Sequence, residues 1–158
     1  MEATESTTLN EAINWLQDRI VEGAECPCCG QFAKLYKNRS ISGRMASDLI
    51  TAYLSVGVGE WFRLPDFDTT NETSKLAHWG LIEEKPGMRE DGAKHAGWWR
   101  ITHRGRQFIL NQLAIPKRAM IYSGSLLGLD DTETVTIVDV LGTKFNYTEL
   151  MTGVSAAR

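Results

Sequence analysis

The chain has 158 residues, 42% of them apolar and 23% charged, and a formal charge of −3. That is enough for one hydrophobic core with attachments and too short for two ordinary domains, and no run approaches the roughly 20 apolar residues of a membrane helix. The acidic first residues lack the basic-then-apolar order of a signal peptide, so a cytoplasmic protein with no membrane partner is expected. The net charge hides an asymmetry. Residues 1–25 hold one basic and six acidic side chains, 26–118 hold fourteen and nine, and 119–158 hold two and five. A basic centre between acidic ends suits a nucleic-acid-binding core with flanking segments for another task.

From Leu9 the apolar residues Leu9, Ala12, Ile13, Leu16 and Ile20 recur at helical steps. Thr8 with Glu11 predicts a capping box, Gly23 a C-terminal stop, and the apolar stripe a docked face. This acidic helix defines a first segment, 1–25. A second, 26–41, opens on Cys26-Pro27-Cys28-Cys29-Gly30, the only cysteines in the chain. Thiols this close cannot staple a fold, which argues for a reducing compartment and a metal site. Two thiolates three residues apart on a tight turn face one ion, and Gly30 lets the backbone curl beneath them. The C-P-x-C-G run resembles one knuckle of a zinc ribbon, which implies zinc on Cys26 and Cys29. Cys28, His78, His95, His103 or a second copy of the chain would complete the set; the alternative is a reduced cysteine turn without metal. Lys34, Lys37, Arg39 and Arg44 follow, interleaved with Phe32 and Tyr36, as a phosphate-contacting surface would be.

A core helix is predicted from Ser42 to Leu54 on the stripe Met45, Ala46, Leu49, Ile50, Tyr53 and Leu54, then a short strand at Trp61–Leu64 stopped by Pro65. Between Pro65 and Trp79 there is room for one helix. Thr69 with Glu72 caps it, and it runs to Trp79 before Gly80. Thr73, Leu76 and Ala77 would pack inward. Asn71, Ser74, Lys75 and His78 would share the outward face, a set suited to base edges and phosphates in a major groove.

A strand follows at Leu81–Glu84, a glycine-rich charged loop over 85–97 with Lys85, Arg89, Lys94 and His95, and a return strand at Trp98–Ile101 before Thr102 caps another helix. Trp98 and Trp99 alternate faces, so one is expected in the core. The run G-L-I-E, polar loop, W-x-I-T-x-x-G-x-x-F resembles the C-terminal half of a winged-helix domain over residues 42–113, as found in many bacterial and phage DNA-binding proteins. The resemblance implies an α+β fold with a winged-helix-like core over 42–115, and double-stranded DNA as partner. Asn71, Ser74, Lys75 and His78 would then read sequence, and Arg89, Lys94, Lys34 and Lys37 would hold phosphates. The first helix of the usual helix-turn-helix pair is missing, reduced to a turn, or supplied by an earlier segment.

After Pro116 the predicted elements are a hairpin, Lys117–Tyr122 and Ser125–Leu129 about a Ser123-Gly124 turn, a strand or short helix over Thr134–Leu141, and a last helical turn at Tyr147–Thr152. This extension, 116–158, is apolar enough to close over the core or to meet a partner. No glycine-rich phosphate loop, H-E-x-x-H or G-x-S-x-G occurs, and Glu83 and Glu84 fall on opposite faces of a strand. A non-enzymatic regulator of transcription or replication is therefore expected, like small proteins of bacteriophages and prophages acting in a bacterial host cell. The alternative is an interaction or inhibitor protein that uses the same scaffold to grip a host or phage protein.

Overall fold

The computed structural model describes residues 1–67, 71–87 and 97–153. The fold is α+β, with helices and three small sheets, and the chain divides into two units, Met1–Arg39 with Met120–Gly128, and Ser40–Ala119 with Leu129–Arg158.

The second unit holds the core. Its longest element, α2 (Gly43–Val56), is capped by Ser42, whose hydroxyl accepts from the Met45 amide, and it buries Met45, Ala46, Leu49, Ile50 and Ala52. The strand β4 (Phe62–Arg63) leads through a 3-10 turn (Leu64–Asp66) to a seven-residue 3-10 helix (Thr73–Trp79). Then come β5 (Ile82–Glu84), β6 (Trp98–Ile101) and α3 (His103–Ile109). The three strands form an antiparallel sheet in the order β4-β6-β5, with Phe62 opposite Trp99, Arg63 opposite Trp98, and Glu83 opposite Arg100. Phe62, Ile82 and Ile101 point into the core, which Leu76, Trp79, Leu81, Phe108 and Ile109 complete.

The junctions around Gly80 are tight. Gly80 ends the 3-10 helix in a left-handed conformation at φ 74°, which costs a side-chain-bearing residue energy that glycine avoids. The Thr102 hydroxyl donates to the Gly80 carbonyl at 2.6 Å and accepts from the Gly105 amide, while Arg104 Nε donates to the Trp79 carbonyl at 2.9 Å. The Trp79 indole N–H donates to the Pro116 carbonyl at 2.7 Å. At Gly105 a Cβ would lie far inside van der Waals contact of the Leu81 carbonyl oxygen. The T-x-x-G spacing thus has a double cause: the threonine caps the helix, and the glycine lets that helix touch β5.

The chain continues into β7 (Ile115–Tyr122), a turn with positive φ at Ser123 and Gly124, and β8 (Ser125–Val135). Positive φ at both central residues gives the twist that two-residue hairpins favour. α4 (Ile137–Leu141) starts at a capping box of Thr136 and Asp139, and α5 (Tyr147–Thr152) at Asn146; both pack on α2. Tyr147 fastens α5 by donating its hydroxyl to the Ile109 carbonyl at 2.7 Å. Burial, then the neighbouring Tyr53, pushes its pKa above the ordinary phenol value, which keeps it a donor at neutral pH.

The first unit contains α1 (Leu9–Gln17), the hairpin of β1 (Ala24–Glu25) and β2 (Phe32–Ala33), and most of β3 (Lys37–Ser40), with the hairpin tip 120–128. Thr8 caps α1 as its sequence predicts, but the helix stops at Gln17 rather than near Gly23. Its apolar stripe is not docked as expected: Ala12 is buried, whereas Leu9 is 67% and Ile13 41% exposed.

Gly105→Ala is expected to cost at least about 1–3 kcal/mol, the range for forcing extra atoms into a packed site. Leu49→Ala and Leu76→Ala should each cost about 2–5 kcal/mol. Denaturant unfolding measures all three, and wild-type midpoints would mean that the helix-to-strand contact is looser than its geometry requires.

Candidate nucleic-acid interface

The segment expected to read DNA departs from its predicted form. Residues Thr73–Trp79 are a 3-10 helix, not an α-helix. The physical reason is visible in the burial: Thr73, Leu76 and Trp79 are all buried, a spacing of three that places them on one line at three residues per turn. Consequently Asn71, Ser74, Lys75 and His78 do not share one outward face. Lys75 and His78 lie along one line, Ser74 lies with Ala77 on another, and Asn71 precedes the helix, exposed, at φ 62°. The capping box at Thr69 lies outside the described residues.

Side-chain hydrogen bonds also fix the start of this helix. Thr73 Oγ1 donates to Asp48 Oδ2 at 3.1 Å, tying the first turn to a carboxylate that α2 keeps 4% exposed. Lys75 Nζ donates to Glu72 Oε2 at 2.6 Å, so the lysine expected to face a phosphate carries its own counter-ion. His78 is half-buried, its ring edge-on to Trp79 with centroids 6.4 Å apart.

Arg89, Lys94 and His95 lie outside the described residues. Lys34 and Lys37 are exposed in the first unit, Lys34 Nζ standing 5.6 Å from the Tyr36 ring centroid. The expectation for the adjacent tryptophans changes too. Trp98 is 40% exposed and Trp99 is half-buried, so neither enters the core fully.

What sequence reasoning missed is the outward face of the β4-β6-β5 sheet. Trp98 and Arg100 share that face with Arg63 and Glu83, their cross-strand partners. Strand alternation adds Trp61 on one side and Lys85 on the other. Arg100 lies over the Trp61 ring at 4.4 Å and Lys85 at 5.8 Å, while Arg63 lies over Trp98 at 5.8 Å. Arg100 Nε also donates to Glu83 Oε1. The signal was present in the alternation W-x-R of residues 61–63 and 98–100, once the two strands are paired in register.

The cysteine turn sits at the tip of the β1-β2 hairpin, closed by the Cys26 amide donating to the Gln31 carbonyl at 2.7 Å and the Gly30 amide to the Cys26 carbonyl at 2.8 Å. The amides of Cys29 and Cys28, in that order of effect, donate to the Cys26 sulfur and hold its pKa below the ordinary thiol value. Metal ligation needs the thiolate, and amides that donate to the sulfur favour that form. All three thiols are free, and among the described residues no cluster of three or more His, Cys, Asp or Glu side chains is placed to hold an ion.

Elsewhere an open cleft is lined by Ile41, Lys117, Glu133 and Asp139. Its carboxylates are engaged, Glu133 with Lys117 and Arg118, and Asp139 with the amide of Thr136. No helix among the described residues is long and apolar enough to cross a membrane.

Thr73→Val keeps the side-chain volume and removes the hydroxyl that serves buried Asp48. It should destabilise the protein by about 1–3 kcal/mol, the cost of depriving a buried acceptor of a donor. Chemical denaturation checks this, and an unchanged stability would show that Asp48 does not depend on Thr73.

No protein-family description, no curated protein and no solved structure matches the chain. What the protein does has to be read from its own side chains.

Proposed function

We propose that this chain is a double-stranded-DNA-binding protein, a non-enzymatic regulator of transcription or replication acting in the cytoplasm of a bacterial host cell. The observation that carries the reading is the arrangement of the second unit. A core helix, a strand, a short helix and a strand precede the segment between β5 and β6, whose sequence carries Arg89 and Lys94 against Glu90 and Asp91, and a return strand and a helix follow, with strand order β4-β6-β5. This order supports a winged-helix reading in which the first helix of the helix-turn-helix is reduced to the 3-10 turn Leu64–Asp66 and the second to a 3-10 helix.

In this reading Asn71 and Ser74 contact base edges, and Lys75 exchanges Glu72 for a phosphate. A seven-residue 3-10 helix reaches fewer bases than a full recognition helix, so most affinity comes from phosphate contacts by the wing and by Lys34 and Lys37. Zinc on Cys26 and Cys29, with Cys28 or a second chain completing the set, would fasten the first unit.

A second reading has its own support. In the first unit Leu9, Val21, Phe32 and, at the hairpin tip, Tyr122 and Leu127 are each more than half exposed. Scattered exposed apolar residues are ordinary, but this many in one small unit suits a protein partner or a second copy of the chain.

A salt titration on a selected and a scrambled duplex separates the readings. Binding should weaken steeply with salt, and Arg89→Ala should lower the slope by about one unit on both duplexes. Asn71→Ala should cost about 1–3 kcal/mol on the selected duplex alone. If wild type binds neither duplex more tightly than the roughly micromolar non-specific level at low salt, the scaffold serves protein contacts. Elemental analysis of protein purified without chelator should find up to one zinc per chain or per pair of chains; none, with three freely titratable thiols, removes the metal.

A further inference from the structure

The outward face of the β4-β6-β5 sheet is built as two rows across three strands. In one row Arg63 lies opposite Trp98, and the Lys85 amide donates to the Trp98 carbonyl at 2.8 Å. In the other, Glu83 lies opposite Arg100, whose guanidinium carbon stands 4.4 Å from the Trp61 ring centroid. The tryptophan and the arginine exchange strands between the rows. Each indole therefore has a guanidinium over it, and the face carries three cations against a single carboxylate.

A sheet surface that served only solubility would be covered by charged or hydroxyl side chains, since each exposed indole forfeits apolar burial at roughly 25 cal/mol per Å². One cation per ring would also satisfy the cation–π pairing. Here Trp61 has two cations, Arg100 and Lys85, while Trp98 is 40% exposed on the central strand. Flat π surfaces interleaved with cations are what an unpaired nucleotide strand needs, because bases stack on indole or guanidinium planes whatever their identity and phosphates take the charge. A duplex hides its base faces and cannot use the rings.

We infer that this sheet face, Trp61, Arg63, Lys85, Trp98 and Arg100, binds single-stranded DNA by base stacking, with little sequence preference. The inference rests on the DNA-binding reading only in choosing DNA over RNA. Apart from Lys85, which opens the wing, the surface differs from the 3-10 helix and wing assigned to the duplex, so variants at Trp98 and Arg63 report on the sheet face alone. Glu83, paired with Arg100, keeps the guanidinium over Trp61 when no strand is bound.

The test is fluorescence anisotropy of full-length protein with a labelled oligothymidine, an oligouridine and a duplex. Wild type should bind oligothymidine with a salt slope near −2, from about 0.7 per phosphate at three cations. Trp98→Ala should weaken that binding at least about fivefold and leave duplex binding unchanged. Should Trp98→Ala misfold, Arg63→Gln alters an exposed side chain and should flatten the oligothymidine slope by about 0.7. Quenching of wild-type tryptophan emission by unlabelled oligothymidine would support the same contact. The inference is overturned if wild type does not bind oligothymidine at low salt, if both variants bind it as wild type does, or if a polyglutamate peptide displaces it at equal concentration. Tighter binding of oligouridine overturns the assignment to DNA. Oligothymidine binding without duplex binding supports the sheet face and removes the duplex reading alone.

Discussion

The second unit depends on one close approach, that of α3 to the Leu81 carbonyl at Gly105. Because the residue lacks a Cβ, the helix can lie against the start of β5, and Thr102 can bond at once to Gly80 and to its own helix. Arg104 then reaches the Trp79 carbonyl, and Trp79 reaches Pro116. The 3-10 helix, β5, α3 and β7 are thus joined through backbone carbonyls rather than by side-chain pairs. Such contacts tolerate little adjustment, since a carbonyl cannot change rotamer. They set the offset between the 3-10 helix and the sheet.

That offset also explains why the helix before Gly80 is wound tightly. Leu76 and Trp79 must both face the core, with Thr73 meeting Asp48, and a spacing of three lines these up only at three residues per turn. An α-helix would rotate the third of them away by about 120°, because six residues advance about 600° at 3.6 per turn rather than the 720° of two full turns. The buried carboxylate selects the tighter winding, and the face available to a ligand narrows as a result.

The sequence made the second unit's strands, caps and turns readable because each is written locally. The helix α2 begins at Ser42 and Thr102 caps α3, both as expected, and strand β6 lies where Trp98–Ile101 alternates. The C-terminal turn at Tyr147–Thr152 likewise follows its own pattern. What escaped was whatever depends on register between distant segments. Arg63 and Trp98 meet across two strands thirty-five residues apart in sequence, and no periodicity in either strand announces the other. The 3-10 winding escaped for a related reason, as a Thr-x-x-Leu-x-x-Trp spacing is also compatible with an α-helix until Asp48 is placed beside it. For α1 the apolar stripe was real, but a stripe says only that a face is apolar, not that this chain covers it.

The uncovered stripe bears on the first unit as a whole. With fewer than fifty residues, it lies in the size range where a hydrophobic core alone is marginal and metals or partners commonly supply the remainder. Among its described residues only Ala12 is fully buried, so apolar burial within the unit contributes little. Whatever binds the cysteine turn or the exposed apolar side chains would then contribute directly to folding, because the site does not persist in the unfolded chain. Metal and partner are coupled by the same argument: each would order the hairpin that the other needs, so the second to bind meets a smaller entropic cost. In the proposed reading the acidic segment 1–25, which would repel a phosphate backbone, serves that task and the sheet face serves nucleic acid.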